Sequence, residues 1–181
     1  MTTNKNPNLQ PTTLENEFVK LVPLQAGDFE RLYKVASDPL IWEQHPNRDR
    51  YKRDVFLTFF NGALESGGAF LVIDPQTHEV IGSSRYYNFD ANSHTVVVGY
   101  TFLARSYWGG KYNKALKSLM LNYAFTFAES VELHVGSNNI RSQTAVMRLG
   151  AHKIREQEVT YYGELPKLNF IYRINKADWK G

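Results

Sequence analysis

The chain contains 181 residues, a length typical of one domain, and its 43% hydrophobic and 14% aromatic residues supply enough apolar surface for a core. It has no cysteine, which excludes disulfides, thiolate metal sites and a cysteine nucleophile, and which is typical of a cytoplasmic protein. The 21 basic and 18 acidic residues give a net charge of +3 and are spread along the chain, so we expect no nucleic-acid partner.

The first thirteen residues are polar, with three Asn, four Thr and two Pro but only one Leu. This composition predicts a disordered leader over residues 1–13, followed by a single domain over residues 14–181. Because no apolar stretch follows Lys5, the segment is typical neither of a signal peptide nor of a membrane anchor, and we expect no membrane partner.

Five elements are predicted in the first half of the domain. Pro23 in an alternating apolar segment predicts an edge strand, and apolar residues at helical spacing predict two helices that end at Asp38-Pro39 and at Gly67-Gly68. A β-hairpin follows. The predicted ranges are Leu14 to Leu24 for the strand, Asp28 to Asp38 and Lys52 to Ser66 for the helices, and Ala69 to Asp74 with Val80 to Phe89 for the hairpin.

The segment from Thr95 to Leu103 is apolar with almost no alternation, which predicts a central strand covered on both faces. Gly99 interrupts it and indicates a bulge or a close backbone approach. A polar loop, a helix over Asn113 to Glu129 and a short strand over Val131 to Val135 come next. The two strands flanking this helix should be parallel and connected by a right-handed crossover.

A helix over Asn139 to Leu149, ended by Gly150, and two strands over His152 to Tyr162 and Lys167 to Ile174 complete the chain. The predicted fold class is α+β. We expect a single mixed, mostly antiparallel sheet of six to seven strands, with a parallel central β-α-β pair and helices on both faces.

The junction between the central strand and the next helix, from Leu103 to Asn113, has the properties of an anion seat. A helix N-terminus presents free backbone N–H groups, Gly109 and Gly110 allow close approach, and Arg105 and Lys111 add positive charge. The spacing matches neither the dinucleotide fingerprint nor the P-loop. The alternative interpretation is a tight strand-to-helix turn.

Two motifs carry a resemblance to a known family. They are the strand-loop-helix from Val96 to Phe127 and the Asn-x-x-Ser…Leu-Gly-Ala run from Asn139 to Ala151. On these residues the chain resembles the GNAT superfamily of acetyl-CoA-dependent N-acetyltransferases, and within it the ribosomal-protein N-terminal acetyltransferase branch, over about residues 14 to 175. The resemblance implies acetyl-CoA as co-substrate, an amine acceptor, no metal, and a monomer or homodimer.

The resemblance also implies which residues bind acetyl-CoA. The pantetheine arm would pair with the backbone of the central strand, its pyrophosphate would bind the following loop, and Ser142 would protonate the leaving thiolate, because Val146 replaces the tyrosine of other branches. The loop departs from the family pattern at Trp108, Lys111 and Asn113. The expected cofactor-binding residues are Phe102, Leu103, Arg105, Trp108, Gly109, Gly110, Lys111, Tyr112, Asn113, Asn139 and Ser142. Alternatively, Asn139 caps a helix and Ser142 is a solvated serine.

A glutamate that many family members carry on the central strand is replaced here by Val97, so that base is absent. Glu158, Glu156 and His45 are the candidates to replace this base. The expected catalytic residues are Ser142 and Glu158. The residues expected to bind the acceptor are Trp42, His45, Arg85 and Tyr86, with Tyr87 beside them. The alternative interpretation is that the aromatic residues of this set lie on a face of the sheet and have no role in binding.

The sequence therefore predicts an N-acetyltransferase that moves an acetyl group to a primary amine, on a peptide or protein N-terminus or a small molecule, by direct transfer in a ternary complex. One alternative is a non-catalytic acyl-CoA-binding or sensor module on the same fold. A nucleic-acid-binding domain is a second alternative, which the scattered charge disfavours.

Overall fold

The computed structural model describes residues 6–181, and this part of the chain forms seven strands and four α-helices. The strands are β1 (Lys20–Pro23), β2 (Ala69–Ile73), β3 (Val80–Asp90), β4 (Thr95–Leu103), β5 (Ser130–Gly136), β6 (His152–Val159) and β7 (Lys167–Asn175). The helices are α1 (Phe29–Ala36), α2 (Arg53–Glu65), α3 (Lys111–Ala124) and α4 (Ile140–Arg148).

All seven strands belong to one sheet in the order β1-β2-β3-β4-β5-β7-β6. The β4–β5 pair is parallel and the other neighbours are antiparallel, which confirms the predicted fold class. β1 lies at the edge of the sheet and contains Pro23. Proline has no backbone N–H to donate, and an edge strand tolerates it because one side of such a strand has no neighbouring strand to pair with.

The two faces of the sheet carry separate hydrophobic cores. One face is covered by α1 and α2, whose core includes Leu32, Phe56 and Phe60. The other face is covered by α3 and α4, whose core includes Leu116, Met120 and Val146. Within residues 6–181, no helix combines the length and the apolar character that crossing a membrane requires.

The helix α3 differs from its predicted range, because it begins at Lys111 and ends at Ala124. Gly110 adopts the extended conformation that precedes the first turn, so the helix starts two residues earlier than predicted. At the other end the chain turns over residues 125–129 because Ser130 must pair with Thr95 in the parallel ladder. The glutamate at the end of the predicted helix, Glu129, instead donates its backbone N–H to the carbonyl of His94.

The predicted leader also differs from the structure. Residues 1–5 lie outside the described residues, but the segment from 6 to 13 lies against the domain. The side chain of Gln10 donates to the carbonyl of Ala69 at 2.7 Å, the Tyr123 hydroxyl donates to the carbonyl of Asn8 at 2.6 Å, and Leu9 packs against the core beneath α3. The residues that this segment contacts are far away in sequence, so the composition of the segment does not indicate that it packs against the domain.

Candidate active site

β4 and β5 form a fork at the centre of the sheet. They pair only at Thr95 with Ser130, Val96 with Val131 and Val97 with Glu132, and then separate. The register between β3 and β4 shifts beside Gly99, and Tyr100 adopts φ +53°, which is uncommon for a residue with a side chain. The edge of β4 from 98 to 103 that faces β5 therefore has no strand partner in the described chain, and it can pair with an extended ligand.

The loop that follows β4 leads into an open helix N-terminus. Gly109 has φ +69°, no atom lies within 4 Å of a Cβ built there, and a Cβ at Gly110 would only reach the carbonyl of Trp108 at 4.0 Å. No side chain caps α3, so its first N–H groups are available to an anion. This turn has room for an anion, and the pyrophosphate seat stays a prediction.

The side chains of this loop are largely engaged with the protein itself. Arg105 donates from Nε to Asp38, and this hydrogen bond lowers the pKa of the Asp38 carboxyl. The ammonium of Lys111 lies 4.0 Å from the centroid of the Phe18 ring. Tyr112 packs edge-on against Tyr107, and Asn113 is half-buried in the first turn of α3. Direct contacts from Arg105 or Lys111 to phosphate would require these side chains to change partners.

Trp108 joins the loop to the beginning of α4. Its indole N–H donates to the carbonyl of Leu103 at 2.9 Å, and the guanidinium of Arg141 lies 3.8 Å from the ring centroid. Arg141 in turn contacts the carbonyl of Ile41. The predicted cofactor residue Trp108 thus spans the mouth of the fork from its α3 side to its α4 side.

The first turn of α4 borders the other side of the fork. Asn139 is buried and caps the helix, because its Oδ1 accepts the N–H of Ser142 at 3.1 Å. Its amide group donates no hydrogen bond within residues 6–181, so the cap leaves both amide hydrogens for a ligand. Ser142 is half-buried, and its hydroxyl has no protein partner in the described chain.

Two of the expected acceptor residues belong to the hydrophobic cores, so this part of the prediction is wrong. Trp42 is fully buried and its indole N–H donates to the carbonyl of Ala36 at 2.7 Å. Tyr86 is fully buried beneath α3, where its hydroxyl donates to the carbonyl of Met120 at 2.6 Å. Side chains alternate along β3, so Tyr86 points to the opposite face from its neighbours Arg85 and Tyr87.

Arg85 and Tyr87 lie on the α1–α2 face, near the fork. The Arg85 guanidinium lies 3.8 Å from the centroid of the Tyr100 ring, and the Tyr87 ring lies 5.1 Å from that of Tyr100. His45 is half-buried against Trp42, where burial and the nearby Arg50 and Arg141 lower its pKa to about 3. His45 is therefore neutral and a weak base.

The carboxylate predicted as the catalytic base lies far from these residues. Glu158 is exposed on the edge strand β6, which is separated from β5 by β7. Its register partner is Leu168, and the alternation along β7 places this pair on the opposite face from Asn169 and Tyr87. Glu156 shares that face and pairs with Lys153. The structure therefore does not bring Glu158 or Glu156 to the fork.

The fork contains an acid–base pair that the sequence analysis missed. Glu132 is the register partner of Val97, and His134 follows two residues later on the same face of β5. Nε2 of His134 lies 3.3 Å from Glu132, while its Nδ1 is buried and has no hydrogen-bond partner in the described chain. The signal in the sequence was a Glu-x-His pattern on the buried strand after the crossover helix.

Glu132 itself is poorly suited to accept a proton. Burial opposes its ionisation, but hydrogen bonds from His134, Arg155 and Arg173 outweigh burial and hold the pKa of the carboxyl far below its usual range. The Glu132 carboxylate instead orients the His134 ring. When Nε2 of His134 carries the proton and donates it to Glu132, Nδ1 of the neutral ring carries a free lone pair that can accept a proton.

A family model described as an acetyltransferase (GNAT) domain matches residues 19–152. The chain belongs to the GNAT acetyltransferase family. The resemblance seen in the sequence is thereby confirmed, and with it the family's acetyl-CoA-dependent acetylation. No curated protein matches the chain in sequence.

Solved structures of GNAT proteins share the fold. A GCN5-related N-acetyltransferase from Brucella melitensis is 18% identical with a TM-score of 0.78, over 96% of this chain and 85% of that chain. Mycobacterium smegmatis RimJ in complex with CoA-disulfide is 15% identical with a TM-score of 0.69, over 88% and 83%. Spermidine N-acetyltransferase from Vibrio cholerae, in complex with CoA and spermine, is 17% identical with a TM-score of 0.68, over 90% and 98%.

The residues of this GNAT protein fit acetyl-CoA at two places. The unpaired edge of β4 offers backbone N–H and C=O groups to the amides of a pantetheine arm, and the open turn at Gly109 and Gly110 offers backbone N–H groups to a pyrophosphate. A cavity of about 840 Å³ lies elsewhere, between α1 and the start of this loop at Arg105, and includes no residue of the fork.

Proposed function

We propose that this protein transfers an acetyl group from acetyl-CoA to a primary amine by direct attack in a ternary complex. The observation that carries the proposal is the position of His134 at the β4–β5 fork, beside the unpaired edge of β4. An amine approaching from the α1–α2 face would meet a thioester aligned on that edge and the Nδ1 atom of His134.

The proposed reaction follows from these positions. His134 accepts a proton at Nδ1 from the acceptor amine, whose nitrogen bonds to the thioester carbonyl carbon while an unpaired backbone N–H of β4 stabilises the developing oxyanion. The carbon–sulfur bond then breaks. The departing thiolate takes a proton from water, either directly or through the Ser142 hydroxyl, which is reprotonated by that water, and a neutral thiol results. His134 then releases its proton to the hydroxide that remains, so both side chains return to their starting states.

The dependence of the rate on pH separates an enzyme base from ionisation of the amine alone. An α-amine has a pKa near 7.8 and a lysine-like amine one near 10.4, so without a base kcat/KM rises along the ionisation of the free amine. With His134 as base, we expect kcat/KM to depart from the ionisation curve of the free amine.

The test measures acetyl transfer to a panel of α-amines and alkylamines, with CoA release, for the wild-type protein and His134→Gln. We expect the variant to lose about 10²-fold or more in kcat with little change in the KM for acetyl-CoA, and its kcat/KM to rise with pH along the ionisation of the free amine alone. His152→Gln, an exposed histidine at the start of β6, is the matched control and should behave as the wild type.

Two outcomes would contradict the proposal in different ways. Tight binding of CoA without turnover on any amine would instead support the non-catalytic acyl-CoA-binding module. Turnover that is unchanged in His134→Gln would leave the proposed acetyl transfer in place and show that His134 is not its base.

A cytoplasmic location is also part of the proposal and is supported by the composition alone.

A further inference from the structure

Arg85 is a buried cation near the centre of β3. Its side chain is 4% exposed, and its Cα is the register partner of Gly99, beside the bulge in β4. The guanidinium lies 3.8 Å from the centroid of the Tyr100 ring and 5.0 Å from that of Phe59. Within residues 6–181 its side chain makes one hydrogen bond, a long one of 3.4 Å to the carbonyl of Phe59. Most of its five N–H donors are therefore unused.

No carboxylate in the described chain neutralises Arg85. Of the acidic residues on this side of the sheet, Glu164 forms a two-point hydrogen bond with Arg50, and Glu132 is held by Arg155 and Arg173. The other groups that face Arg85 are neutral phenols, Tyr87 and Tyr100, and a second cation, Arg50. Both carboxylates are thus already paired with other arginines, and Arg85 has no acidic partner in the described chain.

This arrangement is costly for the free protein. Burial, with a contribution from Arg50, lowers the pKa of Arg85 to about 10, which reflects how unfavourable its charge is here. A buried ion without a partner destabilises a fold, whereas a bound anion of matching shape removes that cost. Guanidinium forms paired, parallel hydrogen bonds with carboxylates, and aromatic rings on its faces hold it in plane.

We propose that the acceptor amine carries a carboxylate group and that this carboxylate pairs with Arg85. The inference rests on the proposed acetyl transfer at the fork. It assigns Arg85 as the residue that selects acidic acceptors over neutral and cationic ones.

Aromatic rings connect Arg85 to His134 along the α1–α2 face. The Tyr87 ring centroid lies 6.1 Å from that of the His134 ring and 5.1 Å from that of the Tyr100 ring, which in turn contacts the Arg85 guanidinium. An acceptor that extends along these rings could place its amine at His134 and its carboxylate at Arg85. The test therefore uses acceptors whose carboxylate is several bonds from the amine.

The kinetic test offers each amine both as a carboxylate and as its neutral carboxamide. The pairs are γ-aminobutyrate, ε-aminocaproate and the C-terminally amidated dipeptide Ser-Glu, against γ-aminobutyramide, ε-aminocaproamide and amidated Ser-Gln. For at least one pair we expect the wild-type kcat/KM to favour the carboxylate by about tenfold or more, since a charge-assisted hydrogen bond contributes at least that factor. In Arg85→Met the preference should fall to about twofold or less, and Arg85→Lys should keep only part of it.

A binding measurement tests the same site without turnover. Glutarate should raise the melting temperature of the wild-type protein and leave that of Arg85→Met unchanged, while neutral glutaramide should affect neither. Arg148→Met removes an exposed arginine from the end of α4 and is the matched control, with wild-type behaviour in both assays. Arg85→Met should fold, because methionine removes an unpaired buried charge and keeps a long apolar side chain.

The outcomes separate the two proposals. If carboxylates and carboxamides are acetylated equally by the wild type, or if glutarate stabilises Arg85→Met as much as the wild type, the acidic-acceptor inference is wrong. If no amine is acetylated while glutarate still binds through Arg85, the carboxylate site stands and the proposed acetyl transfer fails.

Discussion

Lys117 shows how a single side chain can depart from the pattern of its helix. It lies on the inner face of α3 and is buried, and its ammonium contacts the Thr101 hydroxyl, which also bonds with Ser84. No carboxylate in the described chain pairs with it. Burial lowers the pKa of Lys117 to about 7, so a proton on this residue opposes folding at neutral pH and below.

The stability of the protein should therefore rise with pH through Lys117. The unfolded chain keeps this lysine protonated up to about pH 10.4, while the folded protein releases the proton near pH 7, so the unfolded state binds more protons between these values. Lys117→Met should raise the melting temperature at pH 7 by about 3 °C or more and flatten the rise between pH 7 and 10. Calorimetry across this range measures both effects.

The exposed Lys114 on the same helix gives the matched control, because Lys114→Met changes the net charge equally without changing a buried group. A lower melting temperature for Lys117→Met at pH 6 would show that the buried ammonium contributes to the fold.

Ser142 offers a second prediction at this scale. Its backbone N–H, and not its hydroxyl, makes the capping hydrogen bond with Asn139, so Ser142→Ala removes the hydroxyl and keeps the helix cap. We expect kcat to fall roughly 10²-fold with a smaller change in the KM for acetyl-CoA. Steady-state kinetics check this, and a variant with full kcat would assign the thiolate proton to water.

At the scale of elements, the turn before α3 decides how closely an anion approaches the helix. Gly109 has a positive φ, so any side chain there strains the backbone as well as filling the seat. Gly110 has φ −114°, and a Cβ there meets no atom closer than 4.0 Å. Gly110 is therefore the position where a side chain can block a ligand without strain in the protein.

Gly110→Val should weaken acetyl-CoA binding by about tenfold or more and leave the melting temperature nearly unchanged, because only the ligand meets the new side chain. Isothermal titration calorimetry measures the affinity. Gly27→Val, a change in an open turn before α1, should alter neither quantity. Unchanged affinity in Gly110→Val would place the pyrophosphate elsewhere.

Strand alternation explains which of the expected site residues lie near the fork and which do not. Arg85, Tyr86 and Tyr87 are consecutive, yet only the first and third lie on the α1–α2 face, and Tyr86 belongs to the opposite core. Glu156 and Glu158 share one face, but the register of β6 on β7 places that face away from Tyr87 and the fork. Alternation is readable from sequence, whereas the face that it selects depends on pairing.

At the scale of the molecule, the segment from 6 to 13 ties β2 to α3. Gln10 contacts the carbonyl of Ala69 and Asn8 accepts from Tyr123, so the segment crosses between elements distant in sequence. Removing residues 1–13 should lower the melting temperature by about 3 to 6 °C, as expected for the loss of one partly buried leucine and two hydrogen bonds.

Thermal unfolding of the truncated chain measures this loss, and the exposed substitution Thr12→Ala should leave the melting temperature unchanged. A truncated protein as stable as the full chain would return this segment to the predicted disordered leader.

By itself, the sequence determined the order and type of the elements, the parallel crossover around α3, the edge position of β1 and the GNAT family. These features depend on local periodicity, on proline and glycine positions and on motifs contained within short segments. The glycine turn before α3 and the cap at Asn139 were readable for the same reason.

Only the tertiary structure decided which side chains meet at the fork. Val97 and Glu132 become neighbours through the parallel register, and His134 and Arg85 come to one face through strands that are not adjacent in sequence. Whether a buried charge has a partner likewise depends on residues more than a hundred positions apart, such as Arg50 and Glu164. Local patterns carry no information about such contacts, because they arise when separate segments pack together.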